Sequence, residues 1–149
     1  MVDQLLIERI LSDINSNISA LRNADDITWG VYKSDLRSRR FIERSLHIMV
    51  EAVIDVAQHI VSDENFREPL SYRDTFLILA ENGIISTEHL DIYEKMAAFR
   101  NLIVHYYERI DDEVVFGIFK KNLKDFELFI AEIVQFMQKR KIGDRPRFL

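Results

Sequence analysis

Apolar residues recur at three- and four-residue steps along most of this chain. Ile7, Ile10, Leu11, Ile14, Ile18 and Leu21 form the stripe of an amphipathic helix over residues 3–22, with Asp, Asn, Ser and Glu on the other face. Residues 23–26 interrupt it, Thr28 or Ser34 is a candidate N-cap for the next segment, and Trp29, Val31 and Tyr32 make the connection apolar enough to pack. From about residue 34 to 62 the spacing of Phe41, Ile42, Leu46, Met49, Val50, Val53, Ile54, Ala57 and Ile60 predicts one long helix, with neither Gly nor Pro inside it. Residues 63–70 read as the longest loop. Ser71, three residues before Asp74, suits the cap of a short helix carrying Phe76, Leu77, Leu79 and Ala80, and Asn82-Gly83 suits its end. Ser86 or Thr87 then opens a fourth helix through Leu90, Tyr93, Met96 and Ala97.

Asp111, Asp112 and Glu113 suit the start of a fifth helix that runs to about Lys141. Local propensity alone would make residues 114–119 a strand. Helical steps continue through Ile118, Leu123, Phe126, Ile130, Ile133 and Met137, however, and no partner strand is visible elsewhere. The pattern predicts an all-α fold, an antiparallel bundle of about five helices, with one domain over residues 1–142 and a basic tail over 143–149.

Composition narrows the class. The 149 residues, 48% hydrophobic and 30% charged, suit one soluble domain with a single core. The longest apolar run, Phe76 to Ala80, is far too short to span a membrane, and the N-terminus lacks a basic stretch followed by an apolar one, so a cytoplasmic protein without membrane contact is expected. With no cysteine there are no disulfides and no thiolate chemistry. A net charge of −5 argues against nonspecific coating of nucleic acid. Two local clusters run against that balance: Arg37, Arg39, Arg40 and Arg44, and then Lys139, Arg140, Lys141, Arg145 and Arg147. Either suits phosphate, and either suits a solvated helix face or loose tail.

The densest chemistry lies in Arg100-Asn101-Leu102-Ile103-Val104-His105-Tyr106-Tyr107. A bare Arg-x4-His pair is expected about 0.35 times by chance in this composition, but adding a Tyr two residues on lowers the expectation to roughly 0.01. On an ideal helix Arg100 and His105 lie about 140° apart, whereas Arg100 and Tyr107 lie about 20° apart. One regular helix therefore cannot aim all three at one point. Convergence needs a loosened turn near Tyr106 or a second copy of the chain. Glu51, Asp55 and His59 form a second polar line at four-residue steps, whose spacing suits either a metal site or, more simply, a subunit interface. His47 and His89 read as ordinary surface or interface residues.

On the residues Arg100, Asn101, His105 and Tyr107, and on the flanking phrases at residues 51–60, 72–76 and 110–111, nearly the whole chain resembles the HEPN superfamily and within it the HepT-like toxins. The resemblance implies a helical homodimer, with the cleft between subunits, that acts as a metal-independent ribonuclease without a cofactor. It also implies a partner, a cognate minimal nucleotidyltransferase antitoxin. RNA brings its own nucleophile, the 2′-hydroxyl. His105 would move protons, Arg100 would stabilise the charge on phosphorus, and Asn101 and Tyr107 would orient or bind substrate, leaving a 2′,3′-cyclic phosphate and a 5′-hydroxyl. The resemblance further implies silencing by transfer of AMP to Tyr107, with Tyr106 as the competing position; Tyr107 is the one that returns to the face of Arg100. A noncatalytic module that binds a nucleotide or a protein partner through the same groove is the alternative.

Overall fold

The computed structural model describes residues 3–143. Seven α-helices, and no strand, are formed among them: α1 (Gln4–Asn23), α2 (Trp29–Ser34), α3 (Leu36–Asp63), α4 (Tyr72–Glu81), α5 (Leu90–His105), α6 (Asp112–Lys121) and α7 (Leu123–Gly143), with 3-10 turns at Thr87–His89 and Tyr107–Arg109. The expectation of five helices is corrected at two places. The segment after Thr28 is a helix of its own, because the Thr28 side chain accepts from the Val31 N–H and Tyr32 is fully buried beside Trp29 and Phe116. The last helix is two, broken at Asn122, which adopts a non-helical conformation and takes a 3.0 Å bond from the Asp125 N–H on its carbonyl. Two lysines close α6 and an acid lies in the first turn of α7, each at the dipole end that favours it. Residues 112–121 are helical despite their strand-like composition.

Most of the anticipated caps form. Ser71 accepts from the Asp74 N–H, and Gly83 ends the turn after α4 at a φ of +71°, a conformation a side chain would strain. Asp35, rather than Ser34, caps α3. Ser86 caps the 3-10 turn that leads into α5. The tail expected over residues 143–149 lies outside the described residues, apart from Gly143 at the end of α7.

Helix α3 is the axis of the molecule and packs against all six other helices. It can do so because it is 28 residues long and its buried positions, which include Ser45 and Val56 on one side and Val50 and Ile54 on the other, spread over about half of its circumference. Helix α1 runs antiparallel to both α3 and α7. The Asp3 N–H, at the start of α1, donates to Asp63 at the end of α3, and Arg22 near the end of α1 pairs with Glu127 near the start of α7. A ring cluster of Phe76, Tyr93 and Phe129 joins α4, α5 and α7. Below it, Glu132 accepts from the Tyr93 hydroxyl and the Ser86 N–H and sits 2.9 Å from His89 Nδ1, tying the turn before α5 to α7. No helix among the described residues is long and apolar enough to cross a membrane.

Candidate active site

The end of α5 and the turn after it lie against α3 between Arg40 and Glu51, so that rising numbers on one meet falling numbers on the other. Arg100 is largely buried along its side chain. Its Nε donates to Glu51 Oε1 at 2.8 Å, its guanidinium stands 4.7 Å from the centre of the Tyr72 ring at the start of α4, and Nη1 donates to Asn101 Oδ1 at 3.3 Å. A guanidinium has more N–H donors than these two bonds use. Ion pair and ring together fix the plane and direction of the group, while Asn101 beside it stays exposed and borders a hollow of about 330 Å³ with Gln58, Ser71 and Tyr72.

His105 is the last residue of α5 and is exposed. Among the described residues it has no hydrogen-bond or ion-pair partner; its ring meets only that of Tyr106, edge-on at 6.5 Å. Tyr106 leaves the helix with φ −138° and ψ 46°, and a 3-10 turn follows. A loosened turn near Tyr106, one of the two alternatives the spacing left open, is formed, and its effect is on Tyr107. The Tyr107 ring swings onto α3, where its hydroxyl donates to Glu43 and accepts from Arg40 Nη1 at 2.6 Å, with the Arg40 guanidinium 5.6 Å from the ring centre. Burial first, then the bond to Glu43 and its charge, raise the Tyr107 phenol above its ordinary range.

Arg100 and Tyr107 therefore both turn towards α3 but reach different points of it: Glu51 and Glu43 are two turns apart, about 12 Å along the axis. His105 joins neither. Within one chain the residues are brought to one edge of the α3–α5 pair without being brought to one point. Of the polar line on α3, Glu51 is taken up by Arg100, with His47 3.3 Å away, and among the described residues no three His, Asp or Glu side chains are grouped to hold a metal. The basic residues divide in the same way. Arg40 serves Tyr107, Arg39 lies 3.9 Å from Glu43, and Arg140 pairs with Glu64; Arg145 and Arg147 lie outside the described residues.

Two participants were not singled out from sequence. Tyr72 appeared only as part of a flanking phrase, and its stacking on Arg100 depends on the approach of α4. Glu43 had a signal that pattern reading overlooks: it occupies a position of the buried stripe that continues through Leu46 and Val50, where a carboxylate needs a partner.

An all-helical bundle with this Arg–His pair at the end of one helix and a tyrosine held beyond it defines a class, and comparison with known proteins places the chain in it. The model of the HepT-like family, described as Ribonuclease HepT-like, matches residues 7–133, and the chain belongs to that family. It is 34% identical over 102 residues to the mRNA nuclease HepT of Shewanella oneidensis, covering 68% of this chain and 77% of that protein. It is 24% identical over 136 residues to the tRNA nuclease HepT of Aphanizomenon flos-aquae, covering 91% and 92%. The tri-AMPylated Shewanella oneidensis HEPN toxin, solved in complex with an MNT antitoxin, aligns with a TM-score of 0.79 at 30% identity over 91% of this chain and 99% of that one. The Bacillus subtilis cytosolic protein YutE, at 21% identity and a TM-score of 0.80, shares the fold.

Proposed function

We propose that this chain is a metal-independent endoribonuclease and the toxin of a toxin–antitoxin pair, active as a homodimer with the cleft between subunits. The observation that carries the reading is the exposed imidazole of His105, without a hydrogen-bond or ion-pair partner among the described residues, about 1.4 turns beyond a guanidinium held in place by Glu51 and Tyr72. RNA cleavage by its own 2′-hydroxyl asks for these two things, a group free to exchange protons near neutral pH and a fixed cation for the charge that builds on phosphorus. His105 takes the 2′-hydroxyl proton or returns one to the leaving 5′-oxygen, while Arg100 uses the N–H groups not spent on Glu51 and Asn101 to bind phosphate oxygens. Asn101 and Tyr107 orient substrate. Because the groups stay apart within one chain, a second copy across a two-fold axis is the natural source of the missing partners. The names of the relatives as mRNA and tRNA nucleases support the activity.

Tyr107 has a second role in this reading. A cognate minimal nucleotidyltransferase transfers AMP to its hydroxyl, which puts an anionic phosphate and a bulky base beside the site and silences it. The tri-AMPylated toxin bound to an MNT antitoxin supports this, as does the half-exposed position of the Tyr107 ring. RNA digestion by the purified protein, with and without EDTA and beside His105→Ala, is the decisive experiment. Parental cleavage that survives chelation and disappears in the variant is expected; an inert parental protein would leave a noncatalytic binding module.

A further inference from the structure

We propose that Glu43 is the proton acceptor for adenylyl transfer to Tyr107, and that Arg40 holds the phenol oxygen before transfer and the phosphate after it. The proposal rests on the reading of Tyr107 as the modified residue. Glu43 is 8% exposed and is the one buried carboxylate among the described residues. Such a group is costly to bury unless it is bonded, and its hydrogen-bond partner is the Tyr107 hydroxyl. The geometry around that oxygen suits a nucleophile. Its hydrogen points to Glu43, one lone pair accepts from Arg40 Nη1 at 2.6 Å, and the other lone pair remains for attack.

The need for a base follows from the surroundings. The phenol is held un-ionised by burial and by Glu43, and a neutral phenol is a weak nucleophile. Tyr107 is nevertheless 43% exposed and faces an open cleft of about 500 Å³ lined also by Arg44, His47, Ile103 and Val104, a volume within the roughly 300–1,000 Å³ of small-ligand pockets. Two guanidinium side chains suit the phosphate and the apolar pair suits the base of a nucleotide. In the transfer step the phenol oxygen attacks the α-phosphorus of a nucleoside triphosphate bound by the nucleotidyltransferase. The O–P bond forms, the bond from that phosphorus to the bridging oxygen breaks, pyrophosphate leaves, and the phenol proton passes to the Glu43 carboxylate and from there to water. In this account the substrate protein supplies the base and the transferase supplies the activated nucleotide.

The test is the initial rate of AMP addition, read by intact mass, when the purified protein is incubated with its nucleotidyltransferase and ATP across a pH series. Glu43→Gln should slow addition by about 10²–10⁴, and its residual rate should climb about tenfold per pH unit as the phenol begins to ionise unaided. Glu43→Asp keeps a carboxylate and should regain at least about tenfold of that rate with the parental pH profile. Addition to Glu43→Gln at the parental rate, or slowed addition whose pH profile parallels the parental one, would overturn the base assignment while leaving Tyr107 as the acceptor. So would an Asp variant no faster than the Gln variant. Absence of AMP on the parental protein, or equal labelling of Tyr107→Phe, would instead remove the reading of Tyr107 and the proposal with it.

Discussion

Arg100 and His105 are five residues apart and live in opposite surroundings, one clamped between Glu51 and Tyr72, the other open to solvent. Their variants should therefore fail in different ways. His105→Ala removes the proposed proton-transfer group and little else, so RNA cleavage should drop by about 10²–10⁴ with the melting temperature unchanged. Arg100→Ala should lower cleavage by a similar factor and also leave Glu51 without its cation. Arg100→Lys separates charge from shape: an ammonium keeps the charge but cannot hold Glu51 and a phosphate through a planar fork, and cleavage assays should find most of the activity gone. A Lys variant as active as the parental protein would mean that charge alone is what the site uses. The motif residues were legible in the chain because their types and spacing are rare together. Tyr72 and Glu43, which hold two of them, were not, because each is selected by what another helix brings opposite it.

At the scale of elements, the loop before α4 is secured by charge. Arg67 reaches Asp74 at 2.8 Å and Glu81 at 3.2 Å, and Asp74 also accepts from the Leu70 N–H. The Arg67 bond, and after it the Leu70 N–H, hold the Asp74 carboxyl down to about 2 from an ordinary 3.8. A carboxylate depressed in the folded state adds stability that is fully present above its unfolded value and is lost as pH falls through the folded one. Thermal melting of Asp74→Asn should thus trail the parental protein above about pH 4 and converge with it towards pH 2; a constant gap across that range would place the effect elsewhere. Ser71 caps the same helix, and Ser71→Ala should cost about 1 kcal/mol in denaturant unfolding. Periodicity found α1, α3, α4 and α5 nearly to their ends. It ran α6 and α7 together, since apolar steps on the two sides of Asn122 remain in helical register, although the two lysines before Asn122 and the acid after it are stop and start signals that charge placement makes readable.

For the whole molecule, the arrangement of α3 bears on assembly. Phe41, Ile48 and Asp55 recur at seven-residue steps along one line of the helix, and Phe41 and Ile48 are exposed, as Val104 is on α5. In the homodimer proposed above, the exposed apolar pair Phe41 and Ile48 would lie at the contact, with α5 and the line through Glu51, Asp55 and His59. Sedimentation at micromolar concentration should show a dimer, and Ile48→Glu should shift it towards monomer and lower RNA cleavage in parallel. A parental monomer, or a monomeric variant that cleaves at full rate, would place the whole site within one chain.

The chain by itself determined the helical class, the length of α3, the caps at Ser71 and Gly83, and the spacing of the candidate Arg, Asn, His and Tyr set, while it left Thr28 and Ser34 as alternatives for the cap between α1 and α3. These depend on repeat spacing and on hydrogen bonds reaching no further than four residues. Only the tertiary structure decided that Arg100 turns to Glu51 and Tyr72, that the chain loosens at Tyr106 and sends the Tyr107 hydroxyl to Glu43 and Arg40, and that His105 stays apart from both. Those partners are 28 to 67 residues distant in the chain. A side chain's direction at the end of a helix is chosen by the charges that packing brings within bonding distance, and local spacing carries no record of them.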